Sequence, residues 1–176
     1  MKYLIMCEGP NELAVIQLLL DQNRLIISTD DLIGLRPYHA RQLTSAVVKG
    51  ELSIYLGNFE IWRVGDKLNE TLKIPSEYRN RVISVKKYCT KPELEMLLII
   101  SKELEKEYEK TKSSVSPKSF CKANVRYNRQ KYDNSTAFYR NYFENNIEDL
   151  VDAIKRYKQI KGKHQKDELY LADIVR

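Results

Sequence analysis

Short apolar runs bounded by turn residues recur along the first half of the chain. Residues 2–8 and 59–64 are such runs, and residues 81–88 alternate and are rich in β-branched side chains. Runs of this length and composition are typical of strands in a parallel sheet. Residues 32–38 are a further candidate strand, although they contain a glycine and a proline. The pattern predicts a central, mainly parallel sheet of about four strands.

Segments with apolar residues at helical spacing separate these runs. Residues 11–24 have a broad apolar face, and Asn11 is suited to cap the start of that helix. Residues 42–49 and 67–73 are shorter helical candidates, and a proline opens a strong helical pattern over 92–111. Alternation of strands and helices predicts an α/β fold, a three-layer sandwich with the sheet in the middle.

The last third of the chain has a different character. Residues 112–136 are rich in serine, lysine, asparagine and tyrosine, whereas residues 136–160 carry apolar side chains at helical spacing. Residues 168–175 are a candidate for a short closing helix. Since no internal repeat or long linker interrupts the chain, we expect one domain over 1–176. Its basic helical extension begins at about residue 112.

Composition narrows the class of protein. No stretch approaches about 20 consecutive apolar residues, so a membrane span is not expected. The first apolar run leads into Glu8 without a cleavage-like site, which favours a strand over a signal peptide. The chain has 3 cysteines, widely spaced, and 2 histidines. These numbers argue against a disulfide framework and a histidine-rich zinc site, and they favour a reducing, cytoplasmic compartment.

Three carboxylates are candidates for chemistry. Glu8 and Asp66 each directly follow an apolar strand-like run, and the carboxyl ends of parallel strands share one edge of a sheet. Two carboxylates at that edge would form an oxygen-rich site suited to Mg²⁺ or Mn²⁺. Glu95 borders the apolar face of the helical segment that begins near residue 92. The alternative is that Glu8 and Asp66 are solvated turn residues, and that Glu95 only interacts with a helix dipole.

Two basic runs give the chain its charge. One run of six basic residues without an acid lies between residues 112 and 132, with Phe120, Tyr127 and Tyr132 interleaved. A second such run lies between residues 154 and 166. Each run carries as much charge as the net +6 of the whole chain, so the rest is acidic. Basic surfaces of this kind bind phosphate backbones, and tyrosines among the basic residues can stack on unpaired bases. The alternative is a solvated helix face with loops. The candidate phosphate-binding residues are Lys118, Lys122, Arg126, Arg129 and Lys131.

The order of these features resembles the Toprim domain of topoisomerases, primases and overcoming-lysogenisation-defect nucleases. The resemblance is carried by an apolar strand that ends in Glu8 and Gly9, and by a later strand that ends in Asp66. The segment 91–100 is similar to a helix of the RloB-like proteins, which are Toprim-like proteins of restriction and phage-defence loci. A looser likeness to that family extends over 121–132.

The resemblance implies a divalent-metal site. In it Glu8 would be an acid/base or metal ligand, and an aspartate pair at the end of the third strand would hold the metal. Asp66 matches the first aspartate, but Leu68 stands where the second is expected. A site with Glu8 and Asp66 as its metal ligands would bind the ion more weakly than the family pattern.

Three functions follow as expectations. The first is a metal-dependent nucleic-acid-processing protein, a Toprim-type nuclease of a defence or mobile-element locus that acts on DNA or RNA. Glu8, Asp66 and Glu95 would be its catalytic residues. The second is a degenerate module that binds nucleic acid or a partner without cutting, as Leu68 favours. The third is a subunit that works beside an ATPase partner.

Overall fold

The sheet and helices follow the predicted alternation. The computed structural model describes residues 1–66, 70–91, 93–161 and 166–176, without the side chain of Lys161. The strands are β1 (Lys2–Cys7), β2 (Tyr38–His39), β3 (Phe59–Gly65), β4 (Val82–Cys89), β5 (Arg126–Tyr127), β6 (Gln130–Lys131) and β7 (Glu168–Tyr170). The helices are α1 (Pro10–Asp21), α2 (Ala46–Ile54), α3 (Met96–Ser101), α4 (Glu105–Glu109), α5 (Pro117–Asn124), α6 (Thr136–Phe143) and α7 (Ile147–Lys161).

Five strands form one parallel sheet in the order β2-β1-β3-β4-β7. The predicted α/β class and parallel sheet are confirmed, with five strands in place of about four. β5 and β6 form a separate antiparallel hairpin. Counted along the chain, the order of the sheet is 2-1-3-4-5. This order reverses the direction of winding next to the first strand, and such a reversal opens a crevice at the carboxyl ends of the neighbouring strands.

Alternate side chains of the central strands enter two separate cores. Leu4 and Ile61 pair across β1 and β3 and pack with α2 on one face of the sheet. Ile5 and Trp62, the next pair along, pack on the other face with α1, α3, α6 and α7. This alternation follows from the two-residue period of a strand. The sheet is therefore covered on both faces, as predicted for a three-layer sandwich.

The predicted closing helix at 168–175 is wrong in its first half. Glu168–Tyr170 is the fifth strand, paired in parallel with Lys87–Cys89. A partly buried ion pair helps to fix it, because Lys91 Nζ lies 2.6 Å from Glu168 Oε1. A 3-10 turn over Leu171–Asp173 follows. Three residues are too few to show a period, so pairing with β4 decided their conformation.

The predicted helix over 92–111 is two short helices. α3 ends where Glu103 adopts φ +57°, and the Leu104 N–H then donates to the Ile99 carbonyl. This is a Schellman-type helix end, built without the usual glycine. Pro92 lies outside the described residues, and the helix proper begins at Met96. The predicted helix over 136–160 is likewise divided into α6 and α7.

Two smaller predictions also need correction. α1 begins at Pro10, and Asn11 does not cap it, since its side chain instead contacts Asn134 and Thr136. The predicted helical turn at 67–73 falls partly outside the described residues, and residues 70–73 are not helical. Among the described helices, none is both long and apolar enough to span a bilayer.

Candidate functional site

The ends of β1 and β3 bring the two predicted acids to one edge of the sheet. The Glu8 N–H donates to the Val64 carbonyl at 2.8 Å, which continues the parallel pairing to the last residues of both strands. A Cβ placed on Gly65 would lie 2.6 Å from the Cβ of Glu8. The Glu8 side chain therefore crosses over a position that glycine alone leaves open. Asp66 follows directly, at the crevice that the strand order predicts.

An open cleft of about 420 Å³ occupies this crevice. Five carboxylates from three parts of the chain line it, together with two cationic side chains and two asparagines. Glu8, Asp66 and Glu95, which the sequence predicts as site residues, therefore share one cavity. The five carboxylates are Glu8, Glu12, Asp66, Glu93 and Glu95, and the cations are Arg41 and Lys118.

Glu12 is a site residue that the sequence reading missed. Burial raises the pKa of its carboxyl group, and the charges of Asp66, Glu8 and Glu95 raise it further. The signal was available, because Glu12 follows Glu8 by four residues across a strand-to-helix junction. A helix that begins directly after the strand returns this side chain toward the strand end. These carboxylates therefore repel one another across the cleft, and a bound cation would relieve that repulsion.

Cationic side chains partly neutralise the cleft. Arg41, in the loop after β2, places Nη2 3.6 Å from Glu8 Oε1, and 62% of its side chain is exposed. Lys118, on α5, places Nζ 3.9 Å from Glu95 Oε1. The Lys118 backbone N–H also donates to Glu93 Oε2 at 2.8 Å. Both ion pairs are long and solvent-exposed on the cationic side, so ligands can compete with them.

Arg63 is a second site residue that the sequence reading missed. Arg63 is a buried residue of the central strand β3, and its guanidinium donates to the Glu70 carbonyl at 2.7 Å. Burial lowers its pKa, whereas Glu70 and Glu8 act in the opposite direction. Arg63 also lines a small pocket together with Glu8 and Arg41. It therefore supplies positive charge beneath Glu8.

A buried hydrogen-bond network holds Glu95 in the wall of the cleft. Tyr132 OH donates to Glu95 Oε1 at 2.7 Å, and it lies 3.3 Å from the hydroxyl of Tyr139. Burial raises the pKa of both tyrosines, so their hydroxyls remain protonated donors. Tyr132 OH also lies 3.1 Å from Asn134 Oδ1, and Asn134 is linked to Asn11 of α1. The C-terminal third thus completes a site that begins at the sheet.

The ligand atoms that the cleft offers are of the type that binds a hard divalent cation. Glu8, Glu12 and Asp66 offer carboxylate oxygens, the ligands that Mg²⁺ and Mn²⁺ prefer. Within the part of the chain that the structure describes, no three histidine, cysteine or acidic side chains converge closely enough to hold an ion. Mg²⁺ commonly binds through one or two carboxylates, waters and substrate phosphates, so such convergence is not required. Leu68, where a second acid is expected, lies outside the described residues.

The first basic run extends away from the cleft. Lys118 lines the cleft, and Lys122 lies one helical turn further along α5 and is exposed. Arg126 and Lys131 are directly opposite each other on the β5–β6 hairpin. Arg129 sits in its turn at φ +66°. The predicted phosphate-binding residues therefore lie on one helix and one hairpin, and Lys118 among them lines the cleft.

One of the two interleaved tyrosines cannot serve as predicted. Tyr132 is buried in the core, so the expectation that it stacks on bases is wrong, and Phe120 is buried as well. Tyr127 is half-buried and packs edge-on against Tyr142, with ring centroids 5.1 Å apart. Spacing in the sequence placed these rings among the basic residues but could not show that they face inward.

Comparisons with protein-family models, with curated proteins and with solved structures found no match. The interpretation of the site therefore depends on its own geometry.

Proposed function

We propose that this protein is a metal-dependent nucleic-acid-processing protein, a phosphodiester hydrolase of the Toprim type. Carboxylates with metal-ligand chemistry and cations with phosphate-binding chemistry meet in one cleft of a parallel α/β fold. Hydrolysis of a phosphodiester needs both kinds of group within reach of one phosphate. The restriction or defence context remains an expectation from the sequence resemblance.

The observation that carries the proposal is the position of Glu8 and Asp66 at the switch point of the sheet. The two side chains line the same cleft although they are 58 positions apart in the sequence. Solvated turn acids would have no reason to share a cavity with further carboxylates from other segments. Their shared location therefore supports a ligand-binding role over the alternative that they are solvated turn residues.

Each residue of the cleft receives a role in this proposal. Glu8 and Asp66 are the ligands of Mg²⁺ or Mn²⁺, with Glu12 as an additional carboxylate. When bound, the ion supplies charge neutralisation at the phosphate and lowers the pKa of a coordinated water. Glu95, held by Tyr132, is a supporting carboxylate, and Lys118 beside it binds a phosphate oxygen. Lys122, Arg126, Arg129 and Lys131 hold the phosphates that lead away from the cleft.

The test is cleavage of labelled single-stranded and duplex DNA and RNA with Mg²⁺, with Mn²⁺ and with EDTA. Wild-type protein is expected to give metal-dependent products, and Glu8→Gln or Asp66→Asn to lower the rate by at least about 100-fold. Asp30→Asn is the matched control, because Asp30 is an exposed carboxylate away from the cleft. Equal cleavage by wild type and Glu8→Gln would remove Glu8 from the chemistry.

A second candidate is a catalytically degenerate module that binds nucleic acid or a protein partner without cutting. Two observations favour it: Leu68 in the sequence, and the absence of three converging donors among the described residues. Salt-dependent binding without any metal-dependent product would identify it. An ATPase partner subunit is a further proposal, for which co-purification is the test.

A further inference from the structure

We propose that the nucleic acid bound by this protein is a duplex, held through its phosphate backbone without base stacking. This inference depends on the proposed function, because it names the form of nucleic acid that the basic surface beside the cleft accepts. It assigns binding to one of the two basic runs. Four exposed side chains form this surface, here called the basic track: Lys122, Arg126, Arg129 and Lys131.

Among the described residues, no carboxylate lies within ion-pair distance of the members of the basic track. Within residues 1–66, 70–91, 93–161 and 166–176, no ion pair involves Lys122, Arg126, Arg129 or Lys131. Arg126 and Lys131 face each other directly across the hairpin, a like-charge pair that weakens the hairpin unless an anion lies between or beside them. The surface is therefore arranged for a ligand that is itself a polyanion.

In the described part of the second basic run, two members form ion pairs that join elements of the fold. Arg156 Nε lies 3.2 Å from Glu105 Oε1, which joins α7 to α4. Lys158 Nζ lies 2.6 Å from Asp173 Oδ1 and also lies over the ring of Tyr170. These side chains hold α7 against its neighbours. The described residues of the first run also include two ion-paired members, Lys112 and Lys118, but both lie outside the basic track, and Lys118 lines the cleft.

The burial of the aromatic rings favours a duplex over a single strand as the ligand. Proteins that bind single strands without sequence preference usually offer rings for stacking, worth about 1–3 kcal/mol per base. Among the described residues near the basic track, Phe120 and Tyr132 are buried, and Tyr127 packs edge-on against Tyr142. A single strand would therefore find no fully exposed ring on these three residues and would gain mainly backbone contacts. A duplex presents about twice as many phosphates per unit length, so the same cations gain more from it.

The experiment measures binding by fluorescence anisotropy in EDTA, so that cleavage does not interfere. The probes are duplex DNA, duplex RNA and oligothymidylate, each about 25 nucleotides long, a length at which all offer more phosphates than the basic track can contact. We expect at least one duplex to bind roughly tenfold more tightly than the single strand. For B-DNA, four phosphate contacts correspond to a slope of about −3.6 in a plot of log affinity against log salt.

Substitutions then locate the surface. Arg126→Gln with Lys131→Gln is expected to reduce the magnitude of the duplex slope by about 2, or about 1 for each cation removed. Lys158→Gln is the matched control, because it removes an equally exposed cation that is already paired with Asp173. It is expected to leave the slope unchanged.

Each outcome separates this inference from the proposed function. If oligothymidylate binds as tightly as both duplexes, or if Lys158→Gln changes the slope as much as each basic-track substitution, the inference is overturned and the proposed function still stands. If none of the probes binds at low salt, the proposed function fails and this inference fails with it. Tighter binding to either duplex, lost with the basic-track substitutions, supports both.

Discussion

The two sides of the cleft are built in different ways. On the sheet side, Glu8 and Asp66 occupy the first positions after β1 and β3, so backbone pairing of the strands places them. On the C-terminal side, Lys118 and Glu95 are placed by α5 and by the buried hydroxyl of Tyr132. The first side depends on regular secondary structure, whereas the second depends on a network of side chains.

This difference indicates which side of the cleft is more sensitive to substitution of a supporting residue. A strand end is held by many backbone hydrogen bonds, so its residues tolerate changes in neighbouring side chains. The position of Glu95 depends on a few hydroxyl and amide groups, and a buried carboxylate that loses a donor pays a desolvation cost. If the comparison is correct, conservative substitutions of residues that only support the cleft acids should have a larger effect on the C-terminal side than on the sheet side.

Among substitutions of supporting residues, the largest effect is expected from Tyr132→Phe, which removes the hydroxyl that donates to Glu95 and retains the ring in the core. A hydrogen bond to a charged group is worth about 1.5–3 kcal/mol, so we expect kcat to fall at least about tenfold. KM for the nucleic acid should not change, because Tyr132 is a positioning residue that does not reach the substrate. Steady-state cleavage kinetics provide the measurement.

Tyr142→Phe is the matched control for that substitution. Tyr142 is also a buried tyrosine of the C-terminal third, and its side chain hydrogen-bonds to Ser101, away from the cleft. It should lower thermal stability without lowering kcat. An equal loss of kcat in both variants would mean that Tyr132 contributes packing and stability alone.

An intermediate effect is expected from Glu12→Gln on the pH dependence of stability. Burial raises the pKa of Glu12 above its usual value of 4.5, so the folded state binds this proton more tightly than the unfolded state does. The corresponding stability is present below pH 4.5 and is lost as the pH rises through the folded-state pKa. Near neutral pH the variant should therefore melt roughly 2–4 °C above wild type.

Thermal melts over a pH series test this prediction. The difference between Glu12→Gln and wild type should shrink as the pH falls toward 4.5, where Glu12 is increasingly protonated in both states. Mg²⁺ should stabilise wild type more than the variant if Glu12 faces the ion. A variant less stable than wild type at neutral pH would contradict the repulsion among the cleft carboxylates.

The smallest effect is expected from Arg41→Gln. Its ion pair with Glu8 is 3.6 Å long and mostly solvent-exposed on the arginine side, so it contributes at most about 1 kcal/mol. Without this competing cation, Mn²⁺ should bind roughly threefold more tightly in the absence of nucleic acid, measured by electron paramagnetic resonance of the free ion. Weaker Mn²⁺ binding in the variant would show that Arg41 orients Glu8 and does not compete for it.

Much of the sheet side could be predicted from the sequence. The strands at 2–8 and 59–64 have enough apolar residues to show their class, and the acids that follow them share an edge in any parallel sheet. Glu12 could have been added, since a helix start four residues after Glu8 faces the same edge. The role of Arg63 could not have been predicted, because the sequence does not show which charged group an arginine within an apolar run contacts.

The C-terminal side was less predictable because its segments are short and its decisive contacts are distant in sequence. Tyr132 and Glu95 are 37 positions apart, and the spacing of aromatic residues does not show which ones face inward. The predicted helix is also divided near Glu103, where no glycine or proline in the sequence indicates a break. Strand β7 is three residues long and has no period to recognise.

The amino-acid sequence by itself determined the class of fold, the parallel sheet and the presence of acids at strand ends, because these follow from local hydrophobic patterns and backbone pairing. The tertiary structure alone decided that five carboxylates share one cleft and that Tyr132 holds Glu95. It also decided that, among the described residues, Lys122 and the three hairpin cations form no ion pair, whereas Lys112 and Lys118 of the same run do. These properties depend on which distant segments pack together, and burial and ion pairing at each side chain are set only by that packing.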